Sequence, residues 1–383
     1  MMTVLQVLEA TEGGTRRHLR DLVAALDPRE FRVCLAVSCG RDPAFREDVA
    51  DYAARGLPVF DVAMERGIAP VADLVSLFRL LRCVRRARPD VIHAHSAKAG
   101  FLARLAGALC RVPVVYTPHV FPFMMKCGEE ARRFYRLLER CARGLTAALI
   151  AVSEDEAREA VSLGYGRDRV WVIRNGVWPC SCGGVAVRET GALRVGFFGR
   201  LSRQKGPDLL IEAAADVVAH VPQVHFVMYG AGEEEQALRK LVEERQLGPH
   251  VQFAGTCAQA ETVARMRETD VVAVPSRWEG CPYVVLEAFQ AGVPLVAASV
   301  GGVPELIRDG VNGVLVEAES EEALCDGLLA LLRDPQKRRS LAEQGRASVS
   351  EHTVSAMAGE VGTVYRAVAC AGKKQKRNAP AVT

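Results

Sequence analysis

Two successive series of short β-branched runs, alternating with helical periodicity, predict an α/β chain of two doubly wound parallel-sheet (Rossmann-like) domains. Three observations carry that expectation. The runs are apolar throughout rather than alternating, as strands buried on both faces are. The series restarts after an aperiodic stretch near mid-chain. A length of 383 residues exceeds one typical core and fits two.

The first series places strands at 3–8, 31–38, 91–94, 114–117, 147–152 and 170–173, with helical patterns such as 71–88 and 97–110 between them. The break falls near Asn175-Gly176, after which 178–191 is rich in Gly, Cys and Ser. The second series runs through 193–198, 224–229, 251–254, 271–275, 294–298 and 313–316. A last helical pattern, 352–368, is expected to pack back on the first domain, ahead of a frayed basic tail from Gly372. The expected division is 1–175 with 352–370, and 176–351. Two such domains are expected to face a central cleft at the C-terminal ends of their strands, where doubly wound sheets bind ligands.

With 49% hydrophobic and 25% charged residues, the composition is that of a globular protein. Residues 1–177 carry 27 basic and 21 acidic side chains, against a net charge of +3 for the whole chain. That excess is too small for nucleic-acid binding, and no aromatic–basic interleaving accompanies it. It suits an anionic membrane surface. No apolar run is long enough to span a bilayer, and the opening Met1-Met2-Thr3-Val4 reads as a strand rather than a signal peptide. A cytoplasmic location is expected, peripheral on the inner membrane face if lipid is bound. The twelve cysteines are scattered, with Cys180-Ser-Cys182 the only close pair, so neither a zinc site nor a disulfide framework is expected.

The richest motif is Glu279-Gly-Cys-Pro-Tyr-Val-Val-Leu-Glu287. A carboxylate precedes a turn; the N–H groups of Cys281, Tyr283 and Val284 lie where a helix would begin; a second carboxylate follows about two turns in. Carboxylates accept hydroxyl hydrogens and helix N-termini accept phosphate oxygens, so the set suits a nucleotide-sugar. Alone it reads equally as a capping acid followed by an ordinary Glu.

The rest of the chain favours the first reading. After the strand Val195-Gly-Phe-Phe198, one loop carries Arg200 and Lys205 between Gly199 and Gly206, a fork of donors and a point charge that fit a diphosphate. Glu12-Gly13-Gly14-Thr15 joins the first strand to its helix, where glycines permit close backbone approach to phosphate or sugar. His119 follows a strand and is expected at the cleft. His93 and His95 share one strand face, closer to structural; the pair lacks a third metal ligand. Ser153-Glu-Asp-Glu156 reads as a capping box. No Asp-x-Asp occurs, which removes the usual carboxylate site for a metal-held diphosphate.

A dinucleotide oxidoreductase fails on Tyr229-Gly230-Ala-Gly232, where the third glycine is missing and Glu233, Glu234 and Glu235 stand where pyrophosphate would dock. No Gly-x-Ser-x-Gly elbow supports a hydrolase. A non-catalytic sugar-binding protein would have little use for the Arg200/Lys205 loop.

These residues resemble a family-4-type, retaining glycosyltransferase of the two-Rossmann-domain (GT-B) architecture. The resemblance runs from Gly13-Gly14 through His119, Asn175-Gly176-Val177, Gly199-Arg200, Lys205-Gly206, Gly230-Ala-Gly232 and Glu279…Glu287 to Gly301-Gly302-Val-Pro-Glu305. It implies that Arg200 and Lys205 hold the donor diphosphate, Glu279 the sugar hydroxyls and Glu287 the ribose. Backbone around Pro282, Tyr283 and Val284 would support phosphate, Cys257 would lie near the base, and His119 beside the reacting sugar. It also implies a UDP- or GDP-linked donor and no metal or other cofactor. The wording His93-Ala-His95-Ser-Ala-Lys-Ala-Gly100 and Tyr116-Thr-Pro-His119 resembles bacterial transferases of capsule, exopolysaccharide or O-antigen assembly, whose acceptors are commonly polyprenyl-linked glycans. Trp178 departs from the Asp often found there. A sugar-nucleotide 2-epimerase of the same fold is the alternative enzyme.

Residues 129–144 read as a helix with Arg132, Arg136, Arg140 and Arg143 on one face and Phe134, Leu137, Leu138 and Cys141 on another. Either its apolar face packs on the first domain, or the helix meets anionic lipid headgroups.

Overall fold

The computed structural model describes residues 1–40, 42–65, 67–180, 183–186 and 191–377. The chain divides into two compact units, Met1–Asn175 with Val354–Thr383, and Gly176–Thr353.

The first unit begins β1 (Met2–Leu8), α1 (Gly13–Ala25), β2 (Phe31–Val37), α2 (Phe45–Ala54) and β3 (Val59–Asp61). It continues α3 (Pro70–Ala87), β4 (Val91–His95), α4 (Ala97–Cys110), β5 (Val114–Thr117) and α5 (Glu129–Ala142). β6 (Ala148–Ala151), α6 (Glu154–Ser162) and β7 (Val170–Val172) complete the series. The strands form one parallel sheet in the order β3-β2-β1-β4-β5-β6-β7. β3 is absent from the strands expected above: only Val59 and Phe60 of its residues are apolar, whereas the equally short β7 and β13 are apolar throughout.

Alternation along these strands sorts the core. Leu5 and Val7 of β1 pack with Leu80, Val84, Leu102 and Ala106 of α3 and α4. Val4 and Leu8 point the other way, into a cluster with Leu19 and Leu22 of α1.

The second unit repeats the plan with β8 (Arg194–Phe198), α7 (Pro207–His220), β9 (His225–Tyr229), α8 (Glu235–Glu244) and β10 (Val251–Gly255). Then come α9 (Gln259–Met266), β11 (Val271–Val274), α10 (Tyr283–Ala291), β12 (Leu295–Ala298) and α11 (Val303–Leu306). β13 (Val314–Val316), α12 (Glu321–Leu332) and α13 (Pro335–Ser348) close it. Its parallel sheet runs β10-β9-β8-β11-β12-β13. The final helix, α14 (Val354–Arg377), buries Val361, Val364 and Tyr365 in the first unit's core. It runs past the expected end at 368, so the basic tail begins as helix.

In each sheet the order reverses once, between β1 and β4 and between β8 and β11. Loops leaving the C-terminal ends of that pair diverge to opposite faces and leave a crevice. Ten of the described cysteines are free thiols and Cys180 is disulfide-bonded. The expectation of no disulfide therefore fails at Cys180. Cys182 lies outside the described residues.

Candidate functional site

In the second unit, the loop after β8 and the loop after β11 are stapled together. Arg277 N–H donates to the Gln204 carbonyl at 2.8 Å, and Gln204 Nε2 donates to the Trp278 carbonyl at 3.2 Å. The Arg277 guanidinium forks onto Asp208, in the first turn of α7, at 2.8 and 2.5 Å. Sequence reading did not single out Arg277, Asp208 or Ser276; nothing in the local pattern of Arg277 and Asp208 marks a bond across 69 residues, and Ser276 bonds Glu279 only three residues on. The staple brings Lys205 Nζ to 2.6 Å from Glu279 Oε1, and Ser276 Oγ donates to the same oxygen at 2.7 Å. Glu279 is buried and Lys205 half-buried, so the ion pair is charge-assisted and partly dry. Gly301 has φ +50°, and a Cβ there would collide with the Glu279 carbonyl oxygen; only glycine lets this backbone lie so close.

Arg200 is exposed on the same loop, with Nη2 3.3 Å from Gln204 Oε1. Pro282 is the N-cap of α10, so Tyr283 and Val284 are its first two residues and their N–H groups belong to an anion-favouring helix start. Glu287 is buried as the fifth residue of α10. It therefore sits about one helical turn from the start of α10 rather than two. Cys257 borders a cavity of about 290 Å³ with Tyr229, Gln252, Glu261 and Arg265, and burial pushes its thiol pKa up. A larger cavity of about 460 Å³ runs along Arg194, His225, His250 and Gln252; Arg200, Lys205 and Glu279 do not line it. Its lining is largely polar but includes neither the Lys–carboxylate pair nor the α10 start, and it is set aside as the donor site.

In the first unit, β4 and β5 aim polar side chains into an otherwise apolar layer. Register places Gln6 beside His93 and His95 beside Thr117. His93 is spent internally: Nδ1 meets Tyr365 Oη at 2.6 Å and Nε2 meets Thr117 Oγ1 at 2.8 Å. Gln6 Nε2 also donates to Tyr365 Oη, at 2.9 Å. His95 Nε2 lies 2.9 Å from Gln6 Oε1, and its Nδ1 lies 3.1 Å from His119 Nε2. His18, on the buried face of α1, adds a fourth ring, with Nδ1 2.9 Å from Asn175 Oδ1. Burial holds the pKa of His93, His95 and His119 well below the ordinary value, reinforced by neighbouring imidazoles. Burial lowers His18 too, against the opposing bond to Asn175. All four are neutral at neutral pH.

His119 and Val120 have φ of 54° and 80°, a strained pair for non-glycine residues. Glu156 holds them. Ser153 Oγ accepts from Glu156 N–H at 3.1 Å, so the expected N-cap forms. The Glu156 carboxylate, however, accepts from Val120 N–H at 2.6 Å and Val152 N–H at 2.8 Å. Burial raises its pKa to about 7 against those two bonds. A residue expected to be a cap is thus the anchor of the His119 loop. Gly13 and Gly14 open α1; Gly13 has φ +60° and no atom within 4 Å of where a Cβ would stand.

Two parallel sheets, one with a Lys–carboxylate pair at its switch point beside a helix start, make a two-Rossmann-domain arrangement. Residues 13–176 match the glycosyl transferase 4-like domain and residues 187–348 match the glycosyl transferases group 1. A phosphatidyl-myo-inositol mannosyltransferase of Mycobacterium leprae is 30% identical over 380 residues, covering 94% of this chain and 95% of the relative. The UDP-Gal:alpha-D-GlcNAc-diphosphoundecaprenol alpha-1,3-galactosyltransferase of Escherichia coli is 28% identical over 302 residues, 75% of this chain and 78% of the relative. The crystal structure of Anabaena Alr3699/HepE with UDP-glucose superposes with a TM-score of 0.78 at 24% identity, covering 96% of this chain and all of that one. The chain belongs to the glycosyltransferases of the two-domain GT-B type.

Proposed function

We propose that this glycosyltransferase moves a sugar from a UDP- or GDP-linked donor to a lipid-linked glycan acceptor, with retention and without a metal at the diphosphate. The Lys205–Glu279 pair beside Arg200 and the α10 N-terminus carries the reading. A cation, a fork of donors and helix N–H groups can offset diphosphate charge with no ion present. Glu279 and Glu287 then face sugar and ribose hydroxyls. The acceptor oxygen attacks the anomeric carbon on the face the diphosphate leaves; the C–O bond to phosphate breaks, and the departing phosphate oxygen takes the acceptor proton. The name of the Escherichia coli relative supports a UDP-sugar and a diphosphoundecaprenol acceptor. Product analysis tests it: nucleoside diphosphate should appear in step with an α-linked product from an α-donor. Inverted product would remove retention, and a donor changed at one carbon without transfer would indicate an epimerase.

Membrane contact is the second part of the proposal. No helix among the described residues is long and apolar enough to cross a membrane. On α5, Phe134 is 45% and Leu137 58% exposed, so that apolar face is not packed on the unit. Part of the basic face is occupied instead: Arg136 pairs with Glu159 at 2.8 Å and Arg143 donates to the Leu163 carbonyl at 2.8 Å. α3 adds Val71, Leu74 and Phe78, at 80%, 68% and 58% exposure, ahead of exposed Arg82, Arg85 and Arg86. Apolar side chains beside arginines suit an anionic lipid surface. Co-sedimentation with phosphatidylglycerol vesicles should fall with salt and fall again in Leu74→Ser/Phe78→Ser; no binding at low salt would sink this part.

A further inference from the structure

Buried polar side chains of the first unit form one directed chain of hydrogen bonds that ends on His119. We infer that this chain holds His119 with its proton on Nε2, so that Nδ1 presents a lone pair to the reacting sugar. Gln6, His95 and Tyr365 are then positioning residues for sugar transfer. On the transferase reading, on which this rests, His119 lies beside that sugar.

The Gln6 amide gives the chain its direction. Its Nε2 can only donate and meets Tyr365 Oη at 2.9 Å, while its Oε1 can only accept and meets His95 Nε2 at 2.9 Å. Having accepted from Gln6, the Tyr365 hydroxyl donates to His93 Nδ1 at 2.6 Å, and His93 Nε2 donates to Thr117 Oγ1 at 2.8 Å. Burial raises the Tyr365 pKa, so the phenol keeps the proton this link needs. On the other side His95 carries its proton on Nε2, which leaves a lone pair on Nδ1. That lone pair is 3.1 Å from His119 Nε2, which is therefore the N–H. Burial keeps His93, His95 and His119 neutral at neutral pH, and a neutral imidazole has one ring proton. His119 Nδ1 is thus bare. No hydrogen bond among the described residues engages it, and His119 is half-buried just past the C-terminal end of β5.

The ring is held as well as its proton. Glu156 accepts from Val120 N–H at 2.6 Å and so secures His119 and Val120 at φ of 54° and 80°. His18 packs edge-on to His119, with ring centres 4.7 Å apart. Turning the His119 ring over would break its bond to His95.

Polarity matters because of the charge the sugar acquires. When a glycosidic C–O bond breaks, the anomeric carbon and ring oxygen become positive. A sugar hydroxyl that donates to a lone pair gains electron density, and the negative end of the imidazole dipole faces the growing cation; both lower the barrier. The opposite tautomer turns an N–H toward that cation and makes the same hydroxyl an acceptor. A hydroxyl can take either part, so the tautomer acts on rate more than on binding.

Nuclear magnetic resonance of the full chain with isotope-labelled histidine tests this, because long-range nitrogen–proton correlations separate a protonated ring nitrogen from a bare one. His119, assigned by the signal lost in His119→Gln, should show a protonated Nε2 and a bare Nδ1. Gln6→Leu removes the acceptor for His95, and Tyr365→Phe frees the Gln6 amide to turn; each should shift His119 toward the other tautomer. In both, kcat should fall by about tenfold, equivalent to about 1.4 kcal/mol and the size of one hydrogen bond, with KM and the Kd for nucleoside diphosphate little changed. Tyr365→Phe is the deciding variant if Gln6→Leu does not fold. A proton on His119 Nδ1 in the native chain, as a Gln6 amide turned end for end would give, overturns the proposal. So does an unchanged tautomer in folded Tyr365→Phe, or an unchanged kcat in a variant that has lost it. The tautomer is read without substrate, so a wrong tautomer in a chain that still transfers sugar counts against this inference alone. No transfer by the native chain counts against the transferase reading.

Discussion

Lys205→Ala is expected to weaken binding of the nucleoside diphosphate by about 2–5 kcal/mol, the usual cost of removing one partner from a desolvated charge pair. At 1.4 kcal/mol per tenfold this is roughly 30-fold to several thousand-fold in Kd. The structure adds a complication with a measurable consequence. Lys205 Nζ already neutralises Glu279, whose other close partner on that oxygen among the described residues is Ser276 Oγ. Removing the lysine therefore leaves a buried carboxylate poorly compensated as well as stripping a cation from the diphosphate. A double-mutant cycle with Glu279→Gln separates the two. If Lys205 contacts phosphate, Lys205→Ala stays costly in the Glu279→Gln background. If it only neutralises Glu279, the loss disappears there, and the diphosphate assignment goes with it. Glu279→Gln alone should lower turnover more than affinity, and Glu287→Ala should weaken donor binding. Equilibrium titration with UDP and GDP, beside steady-state rates, reads all of these.

How far the sequence reached follows from separation along the chain. Apolar runs, their alternation with helices, and the Arg200/Lys205 and Glu279…Glu287 motifs are local patterns, and they were legible. β3 was not, because Val59–Asp61 holds only two apolar residues, between Pro58 and a charged Asp61. His18 gave a weak signal: it occupies the buried stripe of α1, four residues before Leu22. A histidine at a core position of an amphipathic helix is worth marking, but its partners His95, His119 and Asn175 are assembled only by the sheet. Glu156 was legible as a capping residue and misread in its reach, since sequence shows the helix start and not that Val120 lies over it. On α5 the choice between a packed and an exposed apolar face also needed the fold. Periodicity finds an apolar stripe, whereas the residues α5 buries are the charged Glu139 and Ala142.

That buried charge leads to the largest expected loss of stability. Arg104 on α4 is fully buried, and it forks onto Glu139 of α5 at 2.8 and 3.1 Å. Arg104 Nη1 also donates to Tyr165 Oη at 2.9 Å, Nε donates to the Gly100 carbonyl at 3.0 Å, and the guanidinium lies 4.4 Å from the centre of the Tyr116 ring. Burial raises the Tyr165 pKa to about 12, which keeps its hydroxyl protonated beside Glu139. Arg104→Ala removes every one of these bonds and strands a buried carboxylate. The expected cost is about 3–5 kcal/mol, a large share of what holds a domain folded. Arg104→Met with Glu139→Leu removes both charges at similar volume and should cost far less, because the dehydration of two ions is then no longer needed to fold. Urea unfolding of both variants decides between the effects. A double variant as unstable as Arg104→Ala would place the loss in packing rather than in the orphaned charge. The pair also fixes α5 against α4, so Arg104→Ala should loosen the helix that presents Phe134 and Leu137. Faster backbone amide exchange across Glu129–Ala142 than across α1 would show it.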